Sequence, residues 1–239
     1  MSWQRLLVLA LVFAMCLAHA ERADARDRFY YLGYEIVQVI DGDTDAIIAD
    51  IPMRGATREV GLTADRKFMF VAANRHLVHK VDLEQNKVVA TADVSNDGWD
   101  RVMFGFVVDP DGRTAYGGFM SRKVDKGEVV VGKPVVAQFE LATGKLLRSV
   151  EVPWGVAHLV GVKGGRMLYA FGKDIYKIDT SGADLKVTET VPMFDKGMNI
   201  LPFWDYAFDN GGIASMNYYT EKFMGLLLID QQSGDIRDI

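Results

Sequence analysis

Residues 77–92, LVHKVDLEQNKVVATA, contain the pattern that decides the fold of this chain of 239 residues. Apolar and polar residues alternate on both sides of a polar turn, and Asp82 ends the first alternating run. Alternation with period two is typical of strands with one buried face, and a polar turn between two such runs is typical of a hairpin. The segment therefore predicts two antiparallel strands joined by a short turn.

The same unit recurs five times along the chain, and a second strand–turn–strand unit precedes copies two to five. Two alternating hairpins make a four-stranded antiparallel unit, with a mean spacing of about 47 residues between copies. A four-stranded repeat of this length is the period of a β-propeller blade. We predict an all-β protein, a β-propeller with about 4.5–5 blades of four antiparallel strands. An acidic residue ends the first strand of each copy, at Asp41, Asp82, Glu140, Asp179 and Asp230.

The first twenty residues have the layout of a secretory signal peptide. They contain one basic residue, Arg5, then an apolar run over residues 6–17, and end on the small-x-small site Ala18-His19-Ala20. The run is shorter than the roughly 20 apolar residues of a membrane-spanning helix, which favours cleavage over a retained anchor. The predicted organisation, without membrane attachment after cleavage, is a signal peptide at 1–20, a charged segment at 21–28 and a propeller domain at 29–239.

Charge and cysteine content restrict the partners and cofactors. The formal net charge is −5 and the pI is about 5.4. These values argue against nucleic acid as a partner, because phosphate binding needs clustered Lys and Arg. The single cysteine, Cys16, lies in the predicted signal peptide, and the chain has no C-x-x-C-H motif. We therefore predict no cofactor in this chain and, because an exported protein without cysteine fits a bacterial periplasm, a periplasmic location.

Motifs for catalysis or metal binding are weak. Residues 41–45, DGDTD, resemble the start of a calcium loop, but Ala46 and Pro52 stand where that loop needs glycine and glutamate. A turn in which Asp side chains bond backbone amides is favoured instead. His76 and His79 are three residues apart, which on a strand places them on opposite faces. The sequence therefore predicts no catalytic, cofactor-binding or metal-binding residue.

The uneven spacing of the repeats predicts insertions in residues 117–134, 193–205 and 217–223. Insertions in propellers tend to fall on one face, which is often the binding face. Aromatic residues in the last two insertions are therefore candidates for contact with a partner, with capping of the blade ends as the alternative reading. The candidate interface residues are Phe194, Phe203, Trp204, Tyr218 and Tyr219.

Several stretches resemble a known protein family. Residues 39–52 and 80–90 are similar to the YVTN-type propeller repeat. Residues 165–176, 216–220 and 225–230 are similar to the β subunit of quinohemoprotein amine dehydrogenase. The order of repeats and insertions extends this resemblance over most of residues 30–239.

The resemblance implies a defined assembly. The family forms a periplasmic heterotrimer that oxidises primary amines to aldehydes and ammonia. Its α subunit is a dihaem cytochrome c, and its small γ subunit carries a cysteine tryptophylquinone and the catalytic base. Its β subunit is a seven-bladed propeller without a redox cofactor. By resemblance, this chain is the non-catalytic propeller subunit and packs against the haem and quinone subunits.

Family chains continue for further blades beyond the point that corresponds to Ile239, so the resemblance implies a C-terminally short and incomplete seven-bladed propeller.

Two other functions are compatible with the sequence. The first alternative is a stand-alone YVTN-like periplasmic propeller that binds a ligand or a protein. The second is a lactonase-like propeller hydrolase, which would need a convergent acid/base or metal cluster near the central channel.

Overall fold

The computed structural model describes residues 27–200 and 212–238 with their side chains, and residues 206–208 as backbone. Within these residues the chain forms twenty strands and one short 3-10 helix, Phe194–Lys196. None of the helical segments in this part of the chain is long and apolar enough to cross a membrane. The predicted signal peptide and all but the last two residues of the charged segment lie outside the described residues.

The strands form four antiparallel sheets, and the prediction of an all-β propeller with four-stranded antiparallel blades is confirmed. The first sheet has six strands, β1 (Arg28–Leu32), β2 (Tyr34–Asp41), β3 (Ile47–Leu62), β4 (Phe68–Ala73), β5 (Leu77–Asp82) and β6 (Lys87–Asp93). The second contains β7 (Asp100–Val108), β8 (Thr114–Asp125), β9 (Glu128–Val131), β10 (Val135–Glu140) and β11 (Leu146–Glu151).

The third and fourth sheets follow the first two in the order of the chain. The third contains β12 (His158–Val162), β13 (Met167–Phe171), β14 (Ile175–Asp179) and β15 (Lys186–Val191). The fourth contains β16 (Asn199–Ile200), β17 (Tyr206–Phe208), β18 (Ile213–Tyr219), β19 (Met224–Asp230) and β20 (Ile236–Asp238).

Strand β3 links two of the predicted repeats without a break. Its first half pairs with β2, as far as the pair Tyr34 and Ala56, and its second half pairs with β4 from Thr57 onward. The first predicted hairpin, which belongs to an incomplete blade, therefore continues directly into the first complete blade, formed by the second half of β3 with β4, β5 and β6.

The innermost strands of three successive blades, β3, β7 and β12, pack against one another and run in the same direction. Residues further along one strand contact residues further along the next, as they do in parallel strands. The close pairs are Glu59 with Gly105, Gly61 with Val108, Gly105 with Leu159, and Val107 with Gly161. Parallel inner strands around a central channel are the arrangement expected in a propeller.

This shared direction gives the molecule two distinct faces. We call the end at which the inner strands begin the connection face, because the chain passes from blade to blade there, through residues 94–99, 152–157 and 192–198. The β8–β9 hairpin and the turn at residues 220–223 lie at the same end. The opposite end, the turn face, contains the short turns that follow β3, β7 and β12.

The hydrophobic core lies between successive sheets and, within the six-stranded first sheet, between the incomplete blade and the first complete blade. Four apolar clusters join neighbouring units, and each cluster takes residues from two of them. Because a blade packs on both faces, the strand next to the innermost one is buried almost throughout in two blades: every residue after Phe68 in β4, and every residue after Met167 in β13. The outer strand β15 is mostly exposed. The largest fully buried side chains include Tyr116, Phe119, Phe139, Tyr169 and Phe171.

The repeated acidic residue organises the turn that follows it. The Asp41 Oδ1 atom accepts hydrogen bonds from the backbone N–H groups of Asp43 (3.1 Å) and Thr44 (2.9 Å), and from the Thr44 hydroxyl (2.8 Å). Asp82 and Asp230 each accept two backbone N–H bonds in the same way. The interpretation of residues 41–45 as a turn held by an Asp side chain is confirmed.

Replacing Asp41 with alanine is expected to lower the free energy of unfolding by about 1–3 kcal/mol, because two backbone N–H groups and a hydroxyl lose a charged acceptor. Asp43→Ala is the matched control, since the Asp43 side chain is exposed in the same turn. Urea unfolding monitored by circular dichroism measures both variants. Equal losses for the two would contradict the assigned role of Asp41.

Candidate functional site

Three polar or glycine positions from three different blades meet beside the central channel. The Glu59 Oε1 atom accepts a hydrogen bond from the Gly105 backbone N–H at 3.2 Å. The Glu59 Oε2 atom lies 3.9 Å from Nδ1 of His158. This Oε2 atom is buried and has no hydrogen-bond partner among the described residues. The three inner strands thus build a cluster that no single blade contains.

The close approach of the blades depends on Gly105. This residue has a φ of +72° and forms a bulge where β7 shifts its register against β8. A Cβ atom at this position would lie 2.6 Å from the backbone N of Leu159 and 2.8 Å from the carbonyl carbon of His158. Both the left-handed conformation and the lack of space require glycine. The bulge also directs the Gly105 N–H toward Glu59.

The environment of Glu59 makes its carboxyl titrate close to neutral pH. Burial raises the pKa of Glu59 to about 7, against a usual value of 4.5. The backbone N–H groups of Gly105 and Phe106 oppose this shift, as do the positive charges of Arg75 and Arg58. Desolvation therefore prevails over the groups that favour the ionised form. Near neutral pH, Glu59 exchanges between a donor and an acceptor state.

His158 is a neutral neighbour of this carboxyl. It is almost completely buried, and burial lowers the pKa of His158 to about 3. The imidazole ring lies beside the ring of Phe171, with 6.4 Å between the centroids. Glu59 and His158 are thus two titratable groups close to each other near the channel, but the 3.9 Å between them is too long for a hydrogen bond.

Two arginines add positive charge near Glu59, at the end of the channel that faces the connection face. Arg58 is exposed and adjacent to Glu59 in β3, and Arg75 is half-buried in the turn between β4 and β5. The Arg75 guanidinium lies 4.4 Å from the centre of the Phe104 ring. Burial lowers the pKa of Arg75, as does repulsion from the charge of Arg58, while the charge of Glu59 raises it. The two cations are thus close enough to act on each other.

A cavity of about 150 Å³ lies between the same three inner strands. On each strand, the cluster residue is the one directly before the first residue that lines the cavity: Glu59 before Val60, Gly105 before Phe106, and His158 before Leu159. Because the strands run in the same direction, the cluster bounds the end of the cavity that faces the connection face. The lining of the cavity includes Val60, Gly61, Phe106, Val107, Leu159 and Val160.

The predicted interface residues have different surroundings. Phe194 is exposed on the connection face, with Nζ of Lys173 at 4.7 Å from its ring centre. Tyr218 is only 2% exposed and donates its hydroxyl hydrogen to Oδ1 of Asp238 at 2.6 Å, so its ring belongs to the core. Tyr219 is half-buried at the end of β18. Phe203 and Trp204 lie outside the described residues.

A surface that the sequence did not predict lies on the hairpin formed by the end of β8 and β9. Val124 pairs with Val129, and Arg122 pairs with Val131, which places the three valines on one face of the hairpin. They are 73%, 64% and 60% exposed. The available signal was the apolar run at residues 129–131, which stands within a segment rich in charged residues. We call Val124, Val129 and Val131 the valine patch.

The other two histidines among the described residues, His76 and His79, contact groups of the blade that contains them. His79 is buried, with its ring nitrogens 2.8 Å from the Thr91 hydroxyl and 2.7 Å from the Arg54 carbonyl oxygen. The Nδ1 atom of His76 lies 3.1 Å from Oδ1 of Asp93. In the part of the chain that the structure describes, no group of three or more His, Cys, Asp or Glu side chains has a spacing suited to a metal ion.

Comparison with known proteins supports the fold. No protein-family model and no curated protein matches the sequence. Among solved structures, Kuenenia stuttgartiensis hydrazine synthase is similar with a TM-score of 0.59 and 15% identity over 86% of this chain. The chain spans 60% of the length of that protein chain. The β-propeller domain of Myceliophthora thermophila Cps50 (Swd1) is similar with a TM-score of 0.50 and 13% identity, over 89% of this chain and 82% of the other. At these identities the likeness establishes one property, which is that the chain has a β-propeller fold.

Proposed function

We propose that this chain is a periplasmic β-propeller subunit that binds protein partners through its connection face. The partners proposed are the dihaem cytochrome c and the small subunit with cysteine tryptophylquinone of a quinohemoprotein amine dehydrogenase. In this role the chain holds those subunits in place during oxidation of primary amines to aldehydes and performs no chemistry itself.

The observation that supports partner binding is the valine patch. The hairpin of β8 and β9 extends past Asp100, the first residue of its neighbour β7, so the patch projects from the blade. Three adjacent exposed valines on a projecting strand pair are the kind of apolar surface that protein interfaces bury. Exposed Trp154, Phe194 and Phe223 lie on the same connection face.

The family resemblance supports the choice of partners. Its stretches at residues 165–176, 216–220 and 225–230 fall on the third and fourth sheets, and the β8–β9 hairpin within the matching insertion at residues 117–134 lies on the connection face. A chain without cysteine beyond Cys16 suits the subunit that carries no thiolate-linked cofactor. The similar solved structures support the fold and give no information on the choice of partners.

A pull-down from the periplasm of amine-grown cells tests the proposal. The tagged chain is expected to capture a haem-staining polypeptide and a small polypeptide that stains for quinone. The double substitution Val124→Asp and Val129→Asp is expected to reduce capture by at least about tenfold, because it places two charges in the buried centre of the interface.

The matched control is Val89→Asp, which changes an exposed valine on the outer strand β6. Full capture by the control, with loss in the patch variant, supports docking through the valine patch. If the intact chain captures neither a haem-staining nor a quinone-staining partner, the amine dehydrogenase assignment is wrong. The stand-alone propeller module then becomes the better description.

A further inference from the structure

We infer that the groove between β1 and the second half of β3 is a docking site for an extended segment of a partner protein. The segment adds to β1 as the inner strand of the incomplete blade and has acidic residues at its C-terminal end. We call the groove lined by Tyr30, Val60, Leu62 and Met69 the strand groove. It is independent of the valine patch, because it opens near the turn face and the valine patch lies on the connection face.

The incomplete blade has three strands among the described residues, one fewer than the first complete blade. In the complete blade, β4 lies between the inner strand β3 and its other neighbour, β5. Strand β1 takes the place of β4 in the incomplete blade, because β2 and the first half of β3 follow it as β5 and β6 follow β4. In the part of the chain that the structure describes, β1 pairs with β2 and with no other strand. An inner strand beside β1 gives this blade the same four strands.

Strand β1 presents a row of backbone groups on the side away from β2. The Gly33 N–H group donates to the Ile36 carbonyl oxygen at 2.9 Å, where β1 turns into β2. In an antiparallel ladder every second residue bonds to the partner strand, so Phe29 and Tyr31 form the bonded pairs with β2. The residues whose N–H and C=O groups point the other way are Arg28, Tyr30 and Leu32. Such a row is a template for an added strand.

The strand groove has an apolar wall that is only partly covered. It has a volume of about 530 Å³, and Tyr30, Val60 and Leu62 are partly buried at the edge of the cluster that joins the two blades. By contrast, Met103 and Phe106 on the inner strand β7, which pack against the blade before them, are 5% and 3% exposed. Strand β3 is less covered on this side, because the blade before it has no inner strand among the described residues. An apolar strand in the groove covers this surface.

The position of the groove favours an extended segment over the edge of a second folded copy. Successive inner strands lie in direct contact, since a Cβ atom at Gly105 would lie 2.6 Å from the backbone N of Leu159. A strand beside β1 therefore packs directly on β3, with the central channel on its other side. A single extended segment fits there, whereas the edge of a second copy would bring a whole sheet into the channel.

The charges at the turn face select the C-terminal end of the segment. Strand β1 begins at this face, where Nη1 of Arg28 donates to the Leu83 carbonyl oxygen at 3.3 Å, so a strand antiparallel to β1 ends there. The charged residues that line the groove are Arg28, Arg66, Lys67 and Glu84. Three cations and one acid favour acidic residues at the end of the added strand. Asp109, directly after the inner strand β7, is an example of such an acid within this chain.

A labelled peptide tests the inference. The probe is a short peptide that alternates valine with threonine, ends in aspartate residues and carries a fluorescent label at its N-terminus. Fluorescence polarisation with the full chain at low salt is expected to give a Kd below about 100 μM. The same peptide ending in lysine residues is expected to bind at least about tenfold more weakly, because its charges are repelled at the turn face.

Two N-methylated forms of the probe test strand addition itself. Methylation of every second amide removes the N–H donors on one edge of the peptide strand, and methylation of the alternate amides removes those on the other edge. One form is expected to bind at least about tenfold more weakly and the other to keep its Kd within about twofold, because only one edge faces β1. Binding of the unmethylated probe is expected to slow hydrogen exchange at the amides of Tyr30 and Leu32.

Two charge variants locate the C-terminal end of the probe. Lys67→Gln is expected to weaken the aspartate-ended peptide about twofold to fivefold, through the loss of one exposed cation. Arg113→Gln is the matched control, because Arg113 is an exposed cation at the same place in the turn after β7, and it is expected to leave the Kd unchanged. Circular dichroism of each variant confirms that the compared proteins are folded.

Four results would overturn the inference. They are the absence of a polarisation change with the folded chain, equal binding of the aspartate-ended and lysine-ended peptides, equal effects of the two methylated forms, and a dimer in which the Tyr30 amide is protected without peptide. The last result would assign the groove to a second copy of the chain. The double substitution Val124→Asp and Val129→Asp is expected to leave peptide binding unchanged, so this test is separate from the test of the proposed function.

Discussion

Gly105→Ala is expected to lower the free energy of unfolding by about 3–5 kcal/mol, although it adds only one methyl group. A part of about 1–2 kcal/mol comes from the positive φ of Gly105, which an L side chain adopts at a cost. The larger part comes from the Cβ atom, which would lie 2.6 Å from the Leu159 nitrogen and force β7 away from β12. Urea unfolding of the purified variant measures this loss.

Gly127→Ala is the control that isolates the part of the stability loss caused by the positive φ. Gly127 also has a positive φ, +84°, but no atom lies within 4 Å of the position of its added Cβ. It is expected to cost about 1–2 kcal/mol. If the two alanine variants lose the same free energy, the inner strands of the second and third blades do not approach as closely as described. If Gly105→Ala does not fold, the control still folds, and the comparison remains informative.

Glu59→Gln is expected to become more stable relative to the wild type as the pH rises, by about 2–3 kcal/mol between about pH 4.5 and pH 8. In the folded chain burial raises the pKa of Glu59 to about 7, from an ordinary value of 4.5. The folded state therefore holds the proton more tightly than the unfolded state. The resulting stabilisation is complete below pH 4.5 and is lost as the pH rises through 7. Glutamine carries no such proton, so the variant avoids this loss.

The contribution of His158 to stability depends on pH in the opposite direction. Burial lowers the pKa of His158 to about 3, from 6.5, so the stability that it contributes is present above pH 6.5 and is lost as the pH falls through 3. In the wild type the two residues oppose each other between pH 4.5 and pH 6.5. Chemical unfolding at a series of pH values separates them. A stability difference between Glu59→Gln and wild type that stays constant from pH 4.5 to pH 8 would contradict the desolvation of the Glu59 carboxyl group.

The fold was predictable because its signals are local. A hairpin is specified within about fifteen residues by alternation, an acidic residue and a polar turn, and Asp41, Asp82 and Asp230 show why the acid recurs. The number of residues per repeat then indicates the propeller. None of these signals requires knowledge of how one blade packs on the next.

The cluster of Glu59, Gly105 and His158 beside the channel was not predictable in the same way. Glu59 stands in the plain strand sequence Arg58-Glu59-Val60, and its meeting with His158 depends on the relative positions of blades about a hundred residues apart in sequence. Gly105 gave one usable signal, because an isolated glycine within an apolar strand often marks a bulge or a close backbone approach.

The sequence itself already argued against Tyr218 and Tyr219 as a joint interface. Tyr218 and Tyr219 are adjacent on a strand, where neighbouring side chains point to opposite faces. The structure places Tyr218 in the core and Tyr219 half-buried, so the pair cannot serve as one exposed aromatic surface. The exposed Phe194 remains available on the connection face.

The continuous strand β3 has a consequence for cooperativity. Its sixteen residues pair with β2 over the first half and with β4 over the second, so one piece of backbone belongs both to the incomplete blade and to the first complete blade. Local opening of either blade is expected to fray the strand that holds the other. We therefore expect the first hairpin and the first complete blade to open together as one cooperative unit.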